Sequence, residues 1–142
     1  MIAHPAIVLR LNMMCGKRFR LDHGPLIISG VEGTEGLTLH GQGEPHNPCV
    51  AYHQQNDTTY CGGVTVSWQL SDVNQGDGGF VCVPGSHKSR QRMPAGVRTC
   101  DNDLGLVTQP VMKAGDVLFF MGGAQTHGTH PWQSQTPRRS VL

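Results

Sequence analysis

With 142 residues, 19 glycines, nine prolines and only 15% charged residues, the chain has the make-up of one all-β domain of short strands and tight turns rather than of a helical bundle. A net charge of +1, with no basic run longer than the pairs Lys17-Arg18 and Arg138-Arg139, leaves no electrostatic footprint for nucleic acid or an anionic membrane. The five cysteines, Cys15, Cys49, Cys61, Cys82 and Cys100, form no Cys-x-x-Cys pair, which argues against a zinc knuckle or a disulfide framework and for a reducing, cytoplasmic setting.

The N-terminal apolar patch Ala6 to Leu9 is preceded by Pro5 and broken by Arg10, so neither a signal peptide nor a membrane span is expected there. Ile7 to Met14 reads as a short helix ending at Gly16. Phe19 to Leu21 and Leu26 to Ser29 read as strands, followed by a glycine-rich acidic turn from Gly30 to Gly36. Residues 37 to 48 begin as a short strand around Leu37 and Leu39 and run into a long polar loop. Val64, Val66, Trp68 and Leu70 alternate with Thr65, Ser67 and Gln69, which predicts a half-buried strand with Trp68 in the core. Asp72 to Gly79 is a turn, Phe80 to Val83 a strand stopped by Pro84-Gly85, and Ser86 to Asp103 a polar surface excursion. Val107 to Met112 contains Pro110 and is expected as an edge strand.

After the turn Gly115-Asp116, the apolar run Val117 to Phe120 predicts a buried strand that delivers His127. The chain then turns through Gly128 to Pro131 and resumes at Pro137, so His127 and Arg138 are expected on consecutive strands of one hairpin. Strand alternation puts Arg138, Ser140 and Leu142 on one face. If that face points inward, Arg138 needs an anion, because a guanidinium cannot be neutralised by deprotonation. An Arg-x-Ser pair then suggests the carboxylate-binding end of a pocket; if the face points outward, Arg138 and Arg139 are a solvated edge that deters aggregation.

Several local patterns in order resemble one family: Gly76-Asp77-Gly78-Gly79-Phe80, Val83-Pro84-Gly85-Ser86-His87-Lys88, Lys113 to Phe120, His127-Gly128-Thr129 and Arg138-Arg139-Ser140. Together, over residues 37 to 142, they are similar to the phytanoyl-CoA dioxygenase-like iron(II)- and 2-oxoglutarate-dependent oxygenases. The resemblance implies a double-stranded β-helix, a jelly-roll barrel. It implies iron(II) held by an early His-x-Asp or His-x-Glu pair and a late histidine, with 2-oxoglutarate and molecular oxygen at the open positions. By motif, His127 is the late histidine, and Arg138 with Ser140 grips the far carboxylate of 2-oxoglutarate. Such a site couples oxidative decarboxylation of 2-oxoglutarate to hydroxylation of a small organic substrate. Nothing in the chain identifies a CoA site.

The sequence departs from the family at the early pair, since no His-x-Asp or His-x-Glu occurs. Leu39-His40-Gly41-Gln42-Gly43 resembles one family variant and makes His40 the first choice for the early ligand; Tyr52-His53-Gln54-Gln55 makes His53 the rival. Imidazoles sharing one iron bring their nitrogens within about 3 to 3.5 Å, so proximity to His127 discriminates the two. In place of the acidic ligand, Gln42, water or Glu44 completes the sphere, a halide takes the vacancy, or no iron binds. The alternative to a dioxygenase is therefore a non-catalytic jelly-roll binding protein. His87 is expected to be a hydrogen-bonding loop residue, Asp77 to stabilise its own turn, and His130 to line the pocket mouth rather than share the metal. The family's greater usual length suggests a partial domain over 1–142, with an edge left unpaired and weak stability.

Overall fold

The computed structural model describes residues 1, 3–41, 46–89 and 91–142. Strands β1 (Ile27–Gly30), β9 (Arg138–Val141), β5 (Thr65–Gln69) and β7 (Val117–Phe120) form one antiparallel sheet in that order. Strands β2 (Leu37–His40), β8 (His127–His130) and β6 (Gly79–Cys82) form a second, and β3 (Tyr52–Gln55) pairs with β4 (Thr58–Cys61) as a separate hairpin. From β5 to β9 the chain crosses between the two main sheets at every step, as it does from β1 to β2. This alternation is the double-stranded β-helix that the family resemblance implied.

Helix α1 (Pro5–Met14) begins two residues before the expected start. His4 caps it by accepting the Ala6 N–H at Nδ1, Pro5 supplies a preset φ at its first position, and Ile7 and Leu11, one turn apart, form its buried side. Gly16, at φ +86°, follows the helix. The ring of His4 meets Trp68 edge-on at 6.0 Å, which places the start of α1 over β5. A second short helix, α2 (Ala95–Thr99), lies within the segment expected to be an irregular excursion. Its Val97 packs with Leu39 and Val81, and Val83, Met93, Cys100 and Val107 surround them. This cluster covers the outer face of the second sheet. Phe19 to Leu21 forms no strand, and Val107 to Met112 is reduced to isolated bridges, Cys82 with Thr108 and Val73 with Met112. Pro110 lacks the N–H that a continuous ladder would require.

The expected inside and outside of β5 are reversed. Ser67 and Gln69 are buried, with Gln69 Nε2 donating to Ser67 Oγ at 3.0 Å, whereas Val66 and Trp68 are half-buried and Leu70 is exposed. Cross-strand partners share a face, so Ser67 looks the same way as Leu118, Thr65 as Phe120, and Gln69 as Ser140. Phe120 touches Phe80 of the opposite sheet with centroids 4.7 Å apart, which identifies this face as the barrel interior. The strand alternates as predicted, but its polar side faces the barrel interior and Trp68, on its apolar side, meets the start of α1.

Candidate active site

His127 does not share a hairpin with Arg138. Gly128 to His130, expected as a turn, continue β8 in the second sheet, while β7 and β9 both belong to the first. The residues Gly128 and Val81 are cross-strand partners, and an added Cβ on Gly128 would sit 2.7 Å from the Leu37 carbonyl, so glycine here permits the close approach of β2. The two motif residues therefore approach the cavity from opposite walls.

On the second sheet, His40 and His127 are register partners on β2 and β8, and their rings lie 4.3 Å apart at 60°. Imidazoles bound to one ion at a right angle, with metal–nitrogen bonds of about 2.1 Å, put their centroids about 4.6 Å apart. The His127 Nδ1 lies 2.7 Å from the Gln125 carbonyl and the His40 Nδ1 lies 3.0 Å from the Thr38 carbonyl. Each carbonyl requires the Nδ1–H tautomer and leaves Nε2 with its lone pair, the arrangement found in metal-binding histidines. Burial pushes the His127 pKa down, the nearby His40 adds to that, and the Gln125 carbonyl opposes it. Burial, the largest of these effects, favours the neutral ring a metal requires. Phe80 and Phe120 wall the site, with centroids 6.1 and 4.8 Å from that of His127. His40 itself is exposed, so the pair opens to solvent on its side.

Backbone contacts hold this geometry. Thr126 N–H donates to the buried Ser86 Oγ at 2.8 Å, and Val83 N–H donates to the Thr126 carbonyl at 2.9 Å, so the Pro-Gly-Ser turn grips the residue before His127. Gly41, at φ +96°, packs directly against the Gln125 carbonyl, where a Cβ would collide with it. That carbonyl is the one that orients His127. Neither Ser86 nor Gly41 stood out in the sequence as part of the site; the only local signals were a serine after Pro-Gly and a glycine after histidine.

On the first sheet, Arg138 and Ser140 share a face, and Ser140 is fully buried. Arg138 Nε and Ser140 Oγ are both buried without a hydrogen-bond partner. Burial lowers the guanidinium pKa from its usual value, yet an arginine stays charged at neutral pH. Two orphaned donors side by side mark a place for an anion. The position that a Cβ of Gly79 would take lies 3.3 Å from Arg138 Nε and 3.4 Å from the Trp132 ring, so a glycine at φ +79° makes room for the guanidinium. Trp132, Val73 and Met112, joined by Leu118, close this end of the barrel.

His53 lies elsewhere, exposed on the β3–β4 hairpin, with its ring stacked on Tyr60 at 4.7 Å and 12°. His130 projects from the opposite face of β8 to His127 and pairs in register with Gly79. His87 sits on a 3-10 turn, Ser86–Lys88, edge-on to Tyr52 at 4.7 Å, with no partner for its Nδ1. Asp77 accepts from the Asn74 N–H at 2.7 Å and so stabilises its own turn, as its glycine neighbours suggested. Cys82 is the register partner of His127, but burial raises its thiol pKa and keeps it protonated. Among the described residues no group of three or more His, Cys, Asp or Glu side chains is arranged to hold a metal. Gln42 and Glu44 lie outside the described residues.

The phytanoyl-CoA dioxygenase (PhyH) family model matches residues 38–140. This chain belongs to that family, whose fold is that of the iron(II)/2-oxoglutarate oxygenases. Among solved structures, HygX from Streptomyces hygroscopicus with nickel and 2-oxoglutarate bound superposes with a TM-score of 0.81 at 19% identity, covering 97% of this chain and 60% of that one. EctD from S. alaskensis with 2-oxoglutarate and 5-hydroxyectoine gives a TM-score of 0.58 at 16% identity, over 82% of this chain and 40% of that one. The nickel complex of the non-heme monooxygenase ThoJ gives 0.62 at 16% identity, over 97% and 48%. The chain thus spans at most 60% of these relatives' length. No curated protein matches it by sequence. Among the described residues, no helix is long and apolar enough to cross a membrane.

Proposed function

We propose that this domain is a non-haem iron(II)- and 2-oxoglutarate-dependent dioxygenase acting on a small organic substrate. The observation that carries the reading is the pairing of two oriented imidazoles, His40 and His127, on one wall with the orphaned donors of Arg138 and Ser140 on the other. The residues suit the group: two neutral nitrogens for a divalent metal, and a cationic fork with a hydroxyl for a carboxylate. Iron(II) with 2-oxoglutarate and oxygen supplies oxidative decarboxylation and hydroxylating power when bound.

The separation of the two ends also supports a five-carbon diacid. Arg138 lies at Gly79, whereas His127 is opposite Cys82, three residues farther along β6. At about 3.3 Å per residue that is roughly 10 Å. An extended five-carbon diacid, whose four carbon–carbon bonds span about 5 Å, would suit this spacing with a contact at each end. Arg138 and Ser140 would bind the distal carboxylate, His40 and His127 would hold the metal, and Phe80 and Phe120 supply apolar walls beside His127.

Anaerobic titration with iron(II) and 2-oxoglutarate, monitored for a charge-transfer band and followed by succinate release in air, tests this function. The reading requires both signals, their loss in His40→Ala, and their survival in His53→Ala. A second reading, a non-catalytic binding protein, draws on the lack of a third protein ligand among the described residues. It predicts 2-oxoglutarate binding with neither band nor succinate.

A further inference from the structure

We infer that the β3–β4 hairpin is the substrate-recognition arm of this domain, and that the substrate it selects is a neutral, hydroxyl-rich molecule. This deepens the function proposed above and rests on it. The hairpin belongs to neither main sheet, and its root lies on segments that also position His127. A Cβ on Gly123, in the connection from β7 to β8, would overlap the side chain and carbonyl of Val50, so the chain entering β3 lies directly on that connection. Tyr52 meets His87 edge-on at 4.7 Å, and the preceding residue, Ser86, grips Thr126. Gly62 N–H donates to the Ala51 carbonyl at 3.2 Å and closes the root. The arm thus leaves the barrel at its His127 end, where the exposed His40 opens the site to solvent.

Register assigns the two faces of the arm. Tyr52 pairs with Cys61 and Gln54 with Thr59, so these four share one face, and His53, Tyr60, Gln55 and Thr58 form the other. Only Tyr52 and Cys61 are half-buried, which turns the first face toward the barrel and leaves Gln54 and Thr59 exposed one step farther out on it. Asn56 and Asp57, both at positive φ, make a tight turn whose twist matches the strands, so the arm is preformed. Its inward face offers a phenol, a carboxamide and a hydroxyl, groups that donate and accept hydrogen bonds without charge. The Tyr52 ring adds an apolar plane for the carbon–hydrogen face of a polyol. Against that ring, burial and the neighbouring Lys88 lower the His87 pKa and keep the imidazole neutral, and its Nδ1 is buried without a partner. A substrate hydroxyl would answer that orphan. The exposed charges flanking the arm, Asp57 at its tip and Lys88 beside its root, are opposite in sign and select no net charge on the ligand.

Isothermal titration of the whole chain loaded with nickel(II) and 2-oxoglutarate, using myo-inositol, trehalose, glucuronate, spermidine and octanoate as probes, tests the class. Binding is expected of the neutral polyols, which should also raise succinate release from the iron(II) protein in air, and not of the anionic, cationic or apolar probes. Gln54→Ala and Thr59→Ala should each weaken polyol binding by about three- to tenfold, the loss of one neutral hydrogen bond, and together by about tenfold or more. Gln55→Ala and Thr58→Ala, on the outward face, should leave it within about twofold. All four positions are exposed, so an unchanged melting temperature and an unchanged charge-transfer band separate lost recognition from a lost fold or metal site. Binding confined to a charged or apolar probe, binding of no probe at all, or equal polyol affinity in the Gln54→Ala/Thr59→Ala double variant would overturn the inference, while the band and succinate release keep the proposed function standing. Absence of both signals from the parent protein would instead remove that function, and this inference with it.

Discussion

Replacing Arg138 with methionine should stabilise the ligand-free protein and abolish co-substrate binding, two effects of opposite sign from one substitution. The guanidinium is half-buried, its Nε has no partner, and burial is the cause of its lowered pKa. Methionine keeps the aliphatic reach and can fill space near Gly79 and Trp132 without a charge. Exchanging buried ionic groups for apolar ones of similar size yields about 1 to 4 kcal/mol, and partial exposure puts this case near the bottom, about 1 kcal/mol. For a chain of this length, that shifts the melting temperature up by about 3 °C. In the complex, the same side chain would make two charge-assisted hydrogen bonds, each contributing about 1.5 to 3 kcal/mol. Their loss weakens 2-oxoglutarate binding by at least about a hundredfold. Thermal melts of both proteins without ligand, followed by 2-oxoglutarate titration in the presence of nickel(II), measure the two effects separately. A variant that melts lower than the parent and binds 2-oxoglutarate equally well would refute the argument, because Arg138 would then be a structural residue with its charge satisfied.

Gly41→Ala should lower stability by about 1 to 3 kcal/mol, since it places a side chain at φ +96° and against the Gln125 carbonyl. It should also weaken nickel binding, because that carbonyl orients His127; calorimetry on a variant still folded by circular dichroism checks this. Ser86→Ala removes the acceptor for the buried Thr126 N–H and should cost about 1 to 3 kcal/mol, whereas Ser86→Thr, which keeps the hydroxyl, should recover most of the loss in a denaturant melt. The pH dependence of the metal-free protein follows from His127, whose folded pKa is depressed mainly by burial and further by His40. Below about pH 6.5 the unfolded chain takes up a proton that the folded ring resists. Stability is thus fully present above that pH and falls as pH drops toward the folded pKa, with a slope of up to about 1.4 kcal/mol per unit. His127→Phe should flatten this part of the profile, and an unchanged slope would show that other groups control it.

Much of the site was legible from local order. The motif series named His127, Arg138 and Ser140, and the structure brings all three to one barrel interior. Motif resemblance ranked His40 ahead of His53 without deciding between them, because each lies in a similar polar setting. Pairing separated them: β2 lies beside β8 and puts His40 against His127, while β3 has only β4 for a neighbour and leaves His53 on Tyr60. The supporting contacts from Ser86 and Gly41 were equally invisible, since each reaches a backbone atom at least 40 residues away in sequence.

Alternation along β5 and β9 was fixed by the residues themselves, because successive side chains of any strand must point to opposite sides. Which side faces the cavity was not. In β5 the polar side turns inward, where Gln69 donates to Ser67, while the start of α1 covers Trp68 on the other side. The same limit explains His127 and Arg138, which local turn signals joined in a hairpin but which the crossing from sheet to sheet sets on facing walls. Short-range sterics and periodicity are carried by neighbours in the chain, whereas the inside of a barrel is defined only when distant strands close around it.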